Sequence, residues 1–387
     1  MKRVRVGVIY GGRSSEHEVS LASAAAVLAN LDPLRYEAVP IYIERNGRWS
    51  LAERPPTISS AADVINRSRS RIDIRPTERT QSVHLVSHPG DETLVTIQRE
   101  AGPASEGTAA IVSAVSLDVV FPVVHGPYGE DGTLQGLLEL SGVPYVGAGV
   151  FSSAAAMDKT VAKVLLEGHQ LPVVEYAVVT GQDWETRRTA TLGRLVEQLS
   201  FPMFVKPANL GSSVGISKAS DRNGLEQAID LARQFDRKVL VEVAVRQARE
   251  LECAVLGNDE PVASVPGEIV PAGAFYDYEA KYLHDDSTLI IPAALTDEQT
   301  THIQTMALAA FRAIDGAGMA RVDFLMDGSD GRLFLNELNT IPGFTTISMY
   351  AKLWAASGLE YSGLLDRLID LAFERHAHTQ ALRTSAL

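Results

Sequence analysis

The sequence predicts an α/β fold that opens with a parallel sheet. Three observations predict it. RVRVGVIYGG runs through a glycine turn into SSEHEVSLASAAAVLANL, which reads as strand, turn and helix. LDVVFPVVHG, PYGEDGTLQGLLELSG and VPYVGAG then repeat a strand, loop, helix, strand rhythm. A chain of 387 residues is also long enough for two or three such units, each with its own core.

Taken in order, the first helix begins with Ser15 and Glu18 at the spacing of a capping box. From about 45 to 107 the chain is rich in Ser, Thr, Arg and Pro, with brief alternations such as SVHLVSH. That segment reads as a surface insertion of hairpins and loops. A boundary near Val150 closes an N-terminal α/β domain, 1–150. A helix starting near Asp158, the strand around Lys206, the helix GLEQAIDLARQF and the strand KVLVEVAV form a central unit, 151–245. The last unit, 246–387, holds the strand ELECAVLG, the polar loop FYDYEAKYLHDD, the helix IQTMALAAFRAI and the hairpin ARVDFLMDGSDGRLFLNELN, turning at DGSDG. No repeat recurs at solenoid spacing.

Composition narrows the function classes. A net charge of −13 argues against a general nucleic-acid surface. The single cysteine, Cys253, can make no intramolecular disulfide and reads as inert packing in a reducing compartment. The first apolar run breaks at Gly11 and Gly12, too early for a signal-peptide core, and no run approaches a membrane span. The expected setting is the cytoplasm, without membrane or nucleic-acid partners.

The chemistry concentrates in two places. In FVKPANLGSSVGISK, alternation puts Phe204 and Lys206 on one strand face, and the loop that follows offers two glycines with Ser212 and Ser213 as hydroxyl donors. A lysine beside such a loop suits phosphate oxygens. It is no Walker A loop, because the lysine precedes the glycines and GISKA reads as a further strand. A hairpin turn with a salt-bridged lysine has the same sequence signature. In the C-terminal hairpin, Arg321 and Asp323 share one face and Glu337 and Asn339 share another. If the strands align those faces, two carboxylates and an amide converge as hard oxygen ligands for Mg²⁺. A solvated cross-strand salt bridge is the plainer alternative.

The segments EHEVS, HGPYGEDGTLQG, MDK, VKPANLGSSVG, FYDYEAKY, RVDF and NELNTIPGFT, in that order between Gly7 and Ser348, resemble those of the D-alanine:D-alanine ligases, members of the ATP-grasp superfamily. The resemblance implies a two-part ATP-grasp fold after the N-terminal domain, with nucleotide bound between two sheets. It implies ATP as substrate, two Mg²⁺ or Mn²⁺ ions, two D-alanines and a homodimer.

By the same resemblance Lys159 and Lys206 hold the α- and β-phosphates, and the Ser212 and Ser213 loop closes over the γ-phosphate. Glu242 sits at the adenine edge and Glu250 at the ribose, although VEVAVRQARE separates them by one residue more than the family pattern. Asp323, Glu337 and Asn339 carry the metals, with Glu337 bridging. Glu16 takes the first D-alanine's ammonium with His125 nearby, and Lys281 and Ser348 bind the second D-alanine's carboxylate. Arg321 and the Gly343 N–H stabilise the oxyanion. Tyr282 links its hydroxyl to Ser212 and Glu16 and favours D-alanine over D-lactate as second substrate. Outside the resemblance, Glu16 also suits a helix N-terminus, His125 a hydrogen bond to its own loop and Ser348 a helix cap. A nicotinamide dehydrogenase is disfavoured, because GVIYGGRSSEHE does not give GxGxxG and the fitting acidic strand end is lacking. A catalytically silent nucleotide-binding regulator is disfavoured because Glu16, Asp323, Glu337 and Asn339 are all in place.

Overall fold

The computed structural model describes residues 2–52, 56, 82–87, 93–99, 110–270, 288–345 and 347–382. The chain enters through β1 (Val4–Gly11) and turns at Gly11 and Gly12, whose φ of +91° and +104° favour glycine. It continues as α1 (His17–Asn30) and returns as β2 (Tyr36–Ile43), parallel to β1. Next, β3 (Trp49–Leu51), β4 (Ser82–Leu85), β5 (Leu94–Arg99) and β6 (Ala110–Val115) add to the sheet in antiparallel succession. β7 (Val119–Pro122) lies parallel on the other side of β1, giving the order β6-β5-β4-β3-β2-β1-β7. The expected parallel sheet is thus the β2-β1-β7 part of a mixed sheet.

Two local expectations are corrected. Ser15 and Glu18 make no capping box: α1 has Glu16 at its N-cap, without a side-chain cap, and Glu18 pairs with Arg45 instead. With the cap at 16, Glu18 is the second helical residue and one position short of the reciprocal bond. VPYVGAG is not a strand and contributes a single parallel bridge, Val120 to Tyr145, since Pro144 and the glycines interrupt pairing.

A helical stretch follows: α2 (Thr133–Ser141), α3 (Val150–Met157) and α4 (Lys159–Gly168). Asp158 caps α4 by accepting from the Thr160 and Val161 N–H groups, so the helix starts where the sequence places it. β8 (Tyr176–Thr180), α5 (Gly181–Gln198), β9 (Met203–Pro207), β10 (Ser217–Ala219), α6 (Arg222–Ala232) and β11 (Lys238–Val243) form a central antiparallel sheet of order β10-β9-β11-β8. Its apolar face, with Met203, Val205, Val239 and Val241, is buried under α5 and α6 together with Leu195, Leu225 and Ile229. The other face, carrying Phe204, Lys206 and Glu242, is left for the site.

The third sheet comprises β12 (Arg249–Gly257), β13 (Val262–Ala263), β14 (Gly267–Val270), β15 (Thr288–Ile290), β16 (Gly318–Met326) and β17 (Leu333–Asn339), with α7 (Asp297–Ala313) between β15 and β16. α7 opens with a true capping box, Thr296 with Gln299, and carries acidic residues in its first turn and Arg312 in its last. Its buried face packs with Leu251, Val322, Phe324 and Leu335 of the sheet, and Leu166 of α4 joins the same core. Two closing helices, α8 (Met349–Ala356) and α9 (Tyr361–Gln380), carry no motif and are added by the structure. Their Tyr350, Leu364 and Leu368 share one core with Val6 and Phe121 of the first sheet and Phe344 of the connecting loop. The two ends of the chain are therefore packed as one body. No described helix is long and apolar enough to cross a membrane.

Candidate active site

Segments from all three sheets meet at the site. The loop joining β9 to β10 starts at Asn209, whose backbone and side-chain amide both donate to Asp236, at 2.7 and 2.9 Å. Ser212 and Ser213 then adopt left-handed φ of +52° and +57°, and Gly215 follows at +74°. Non-glycine residues cost about 1–2 kcal/mol each in that region, a strain that accumulates where a loop is shaped for a ligand. The Ser212 hydroxyl donates to Glu16 of the N-terminal part. Glu16 is buried between two glycines: a Cβ added at Gly126 or Gly211 would come within 2.5 or 2.8 Å of its carboxylate. The glycines of HGPYGEDG and of the serine loop thus admit this carboxylate.

Lys159, first residue of α4, donates to the Leu210 carbonyl at 2.7 Å and lies 3.9 Å from Glu337 across the cleft. Lys206 contacts Glu242 at 2.5 Å and reaches Asn336 at 3.4 Å. Both sequence-derived lysines thus stand between the central sheet and β17. Glu242 holds a second lysine that the motifs do not mark, Lys163, at 2.6 Å. Between two ammonium groups the Glu242 carboxyl is pushed down to about 2 despite its burial. The Lys206 ammonium is raised by Glu242, with further contributions from Glu337 and Glu250. Glu250, whose spacing departs from the family pattern, is therefore within electrostatic reach of the cleft.

The hairpin register answers the question left open by the sequence. Arg321 pairs with Asn339 and Asp323 with Glu337, so the two faces do align. Arg321 grips Asp323 in a fork of two 2.7 Å bonds, Asn339 donates to Asp323 at 2.9 Å, and Glu252 on β12 meets the Arg321 guanidinium at 3.0 Å. Asp323 and Glu252 lift the Arg321 pKa well above its ordinary value, so it is a fixed cation. A bulge between Asp323 and Phe324 places Asn336 beside Glu337 opposite one partner residue, and Asn336 is what Lys206 touches. Among the described residues no group of three histidine, cysteine, aspartate or glutamate side chains forms a metal cage. Two opposed carboxylates and an amide fit instead a hard divalent cation that draws its other ligands from water and phosphate.

His125 is neutral in this setting, its pKa lowered chiefly by burial. Its Nδ1–H donates to the Ile341 carbonyl at 2.9 Å, so Nε2 accepts from Ser23, also at 2.9 Å. Ser23 in turn accepts from the Phe344 N–H at 3.1 Å. His125 thus braces the loop after β17 against α1. Glu130 of the same motif acts alongside it, accepting from the Gly126 N–H at 2.6 Å and the Ile341 N–H at 3.0 Å. Burial and the neighbouring Glu16 push Glu130 up to about 8. Ser348 sits at the N-cap of α8 without capping it, and its hydroxyl accepts from the Thr345 N–H at 3.0 Å, beside Gly343. Lys281 and Tyr282 lie outside the described residues. The sequence motifs assign no role to Lys163, Glu130, Ser23 or Glu252. Two of them had a signal: Glu130 lies within HGPYGEDG, and Lys163 stands one helical turn beyond Lys159.

Residues 5–148 match the family model described as D-ala D-ala ligase N-terminus, and 165–370 the one described as D-ala D-ala ligase C-terminus. Fold and matches together define an ATP-dependent ligase. The chain belongs to the D-alanine–D-alanine ligase family. It is 46% identical over 387 residues to the D-alanine–D-alanine ligase of Heliobacterium modesticaldum, covering 100% of this chain and 99% of that protein. The one of Chloroherpeton thalassium is 47% identical over 97% of this chain and 98% of its own length. Among solved structures, the D-alanine-D-alanine ligase of Coxiella burnetii superposes with a TM-score of 0.78 at 36% identity, covering 98% and 97% of the two chains. The D-Ala:D-Ser ligase VanG of Enterococcus faecalis gives 0.77 at 33%, covering 96% and 100%.

Proposed function

We propose that the protein ligates two D-alanines to D-alanyl-D-alanine at the expense of ATP, supplying a peptidoglycan precursor. The observation that carries this reading is the cleft in which Lys159 and Lys206 face the Asp323, Glu337 and Asn339 group while Ser212 is tied to Glu16. In the first step the carboxylate of one D-alanine attacks the γ-phosphorus and ADP leaves. In the second, the amine of the other D-alanine attacks the acyl phosphate carbon, loses a proton and expels phosphate. Neither step asks for a protein nucleophile.

Lys159 and Lys206 neutralise the phosphates, and the Ser212 and Ser213 loop closes over the γ-phosphate. Glu242 and Glu250 lie on the nucleoside side, although the Glu242 carboxylate is itself engaged by two lysines. Asp323, Glu337 and Asn339 would hold magnesium or manganese, which supplies charge neutralisation on the transferring phosphoryl group. Glu16 takes the ammonium of the first D-alanine, with His125 holding the surrounding loops. Arg321 and the Gly343 N–H stabilise the oxyanion of the second step, and Lys281 and Ser348 take the second carboxylate, with Tyr282 selecting an amine over D-lactate. The three sheets support domains of 1–150, 151–245 and 246–387. A cytoplasmic homodimer completes the reading on the family resemblance.

Incubation with ATP, Mg²⁺ and D-alanine is expected to release one phosphate per dipeptide. Competing D-serine and D-lactate, with each product quantified, are expected to leave D-alanyl-D-alanine predominant. A predominant D-alanyl-D-serine or ester product would overturn the substrate assignment.

A further inference from the structure

Three charged side chains are sealed in the wall of the nucleotide cleft. Lys163 projects from α4, Glu242 from β11 and Lys206 from β9, and their side chains are 2%, 5% and 13% exposed. One carboxylate serves two ammonium groups, at 2.6 Å to Lys163 and 2.5 Å to Lys206. These three side chains therefore carry one more positive charge than negative, with Glu337 and Glu250 the further carboxylates that act on Lys206 from the other elements of the cleft. Lys206 faces the cleft, whereas Lys163 lies behind Glu242, with its ammonium 5.3 Å from the centre of the Tyr176 ring.

The arrangement has an electrostatic consequence. A carboxylate with a single lysine partner forms a neutral pair and draws that ammonium away from any other anion. Sharing Glu242 with Lys163 divides its pull, so Lys206 retains positive charge toward the cleft. The same helix sends Lys159, four residues earlier, to Leu210 and Glu337. α4 thus sets both lysines of the phosphate wall, one directly and one through Glu242.

We propose that Lys163 is a positioning residue for nucleotide phosphate: by holding the far side of Glu242 it leaves the cleft wall with the net positive charge that the phosphates neutralise. The inference rests on the ATP reading above and deepens it. Because the effect is one of charge, it grows with the number of phosphates on the ligand and is absent for the nucleoside alone. A residue that merely supported the shape of the pocket would act equally on adenosine.

The test measures dissociation constants of the full-length protein, with Mg²⁺ and without D-alanine, for adenosine, ADP and ATP by calorimetry, alongside thermal melts. In Lys163→Gln, ATP binding is expected to weaken about tenfold or more and ADP binding less, with adenosine within about twofold of the unsubstituted protein. Lys163→Arg keeps the charge, and its ATP-to-adenosine affinity ratio is expected to stay within about threefold. Should the glutamine variant not fold, a collapsed ratio in Lys163→Arg still refutes the proposal. An equal loss for all three ligands, an unchanged ATP affinity in Lys163→Gln, or a collapsed ratio in Lys163→Arg overturns the proposal. Failure of the unsubstituted protein to prefer ATP over adenosine would instead overturn the ATP reading beneath it.

Discussion

Asp323 and Glu337 show how much a single residue can carry here. They are direct cross-strand partners, and like charges so placed repel unless a cation lies with them. Arg321 and Asn339 supply part of that compensation to Asp323, and Lys159 approaches Glu337. Glu337→Gln keeps the volume and removes one charge. It is expected to lower kcat at least about a hundredfold, roughly 3 kcal/mol, while the melting temperature holds or rises. Turnover within tenfold of the unsubstituted protein would remove Glu337 from the metal-binding group. These residues were legible because strand alternation fixes which side chains share a face, leaving only the register open. Lys163 and Glu130 were not, since each takes its meaning from a partner far along the chain, Glu242 or Ile341.

The elements divide in the same way. The strand around Lys206, the helix from Asp158 and the DGSDG hairpin declare themselves through alternation, capping and turn chemistry. The bulge that turns Asn336 toward Lys206 leaves no trace in LFLNELN, because an inserted residue looks like any other until its partner strand is known. The capping box failed since it competes with Glu16, which the fold holds at the N-cap and ties to Ser212. The serine loop makes its own prediction. A Cβ at Gly215 would lie 2.7 Å from the Phe235 ring, at a φ of +74°. Gly215→Ala is expected to cost about 1–2 kcal/mol of stability and to raise KM for ATP severalfold with a smaller change for D-alanine. Unaltered melting and KM values would show that the loop does not need this turn.

At the scale of the whole molecule, the site exists because three sheets are held in one arrangement. α8 and α9 pack on the first sheet, and His125 and Glu130 fasten the loop after β17 to the N-terminal part. Ser212 ties the central loop to Glu16. These contacts join residues more than a hundred positions apart, so composition and periodicity could give the units but not their docking. On the function proposed above, this docking forms a cleft in which the carboxylate of a D-alanine bound at Glu16 would meet phosphates held by Lys159 and Lys206. That claim is tested most directly by D-alanine labelled with ¹⁸O in its carboxylate, supplied with unlabelled ATP and Mg²⁺. Attack on the γ-phosphorus followed by acyl transfer moves one carboxylate oxygen into the phosphate released. The account predicts one ¹⁸O in each phosphate, matched by one dipeptide, and phosphate released without label would contradict it.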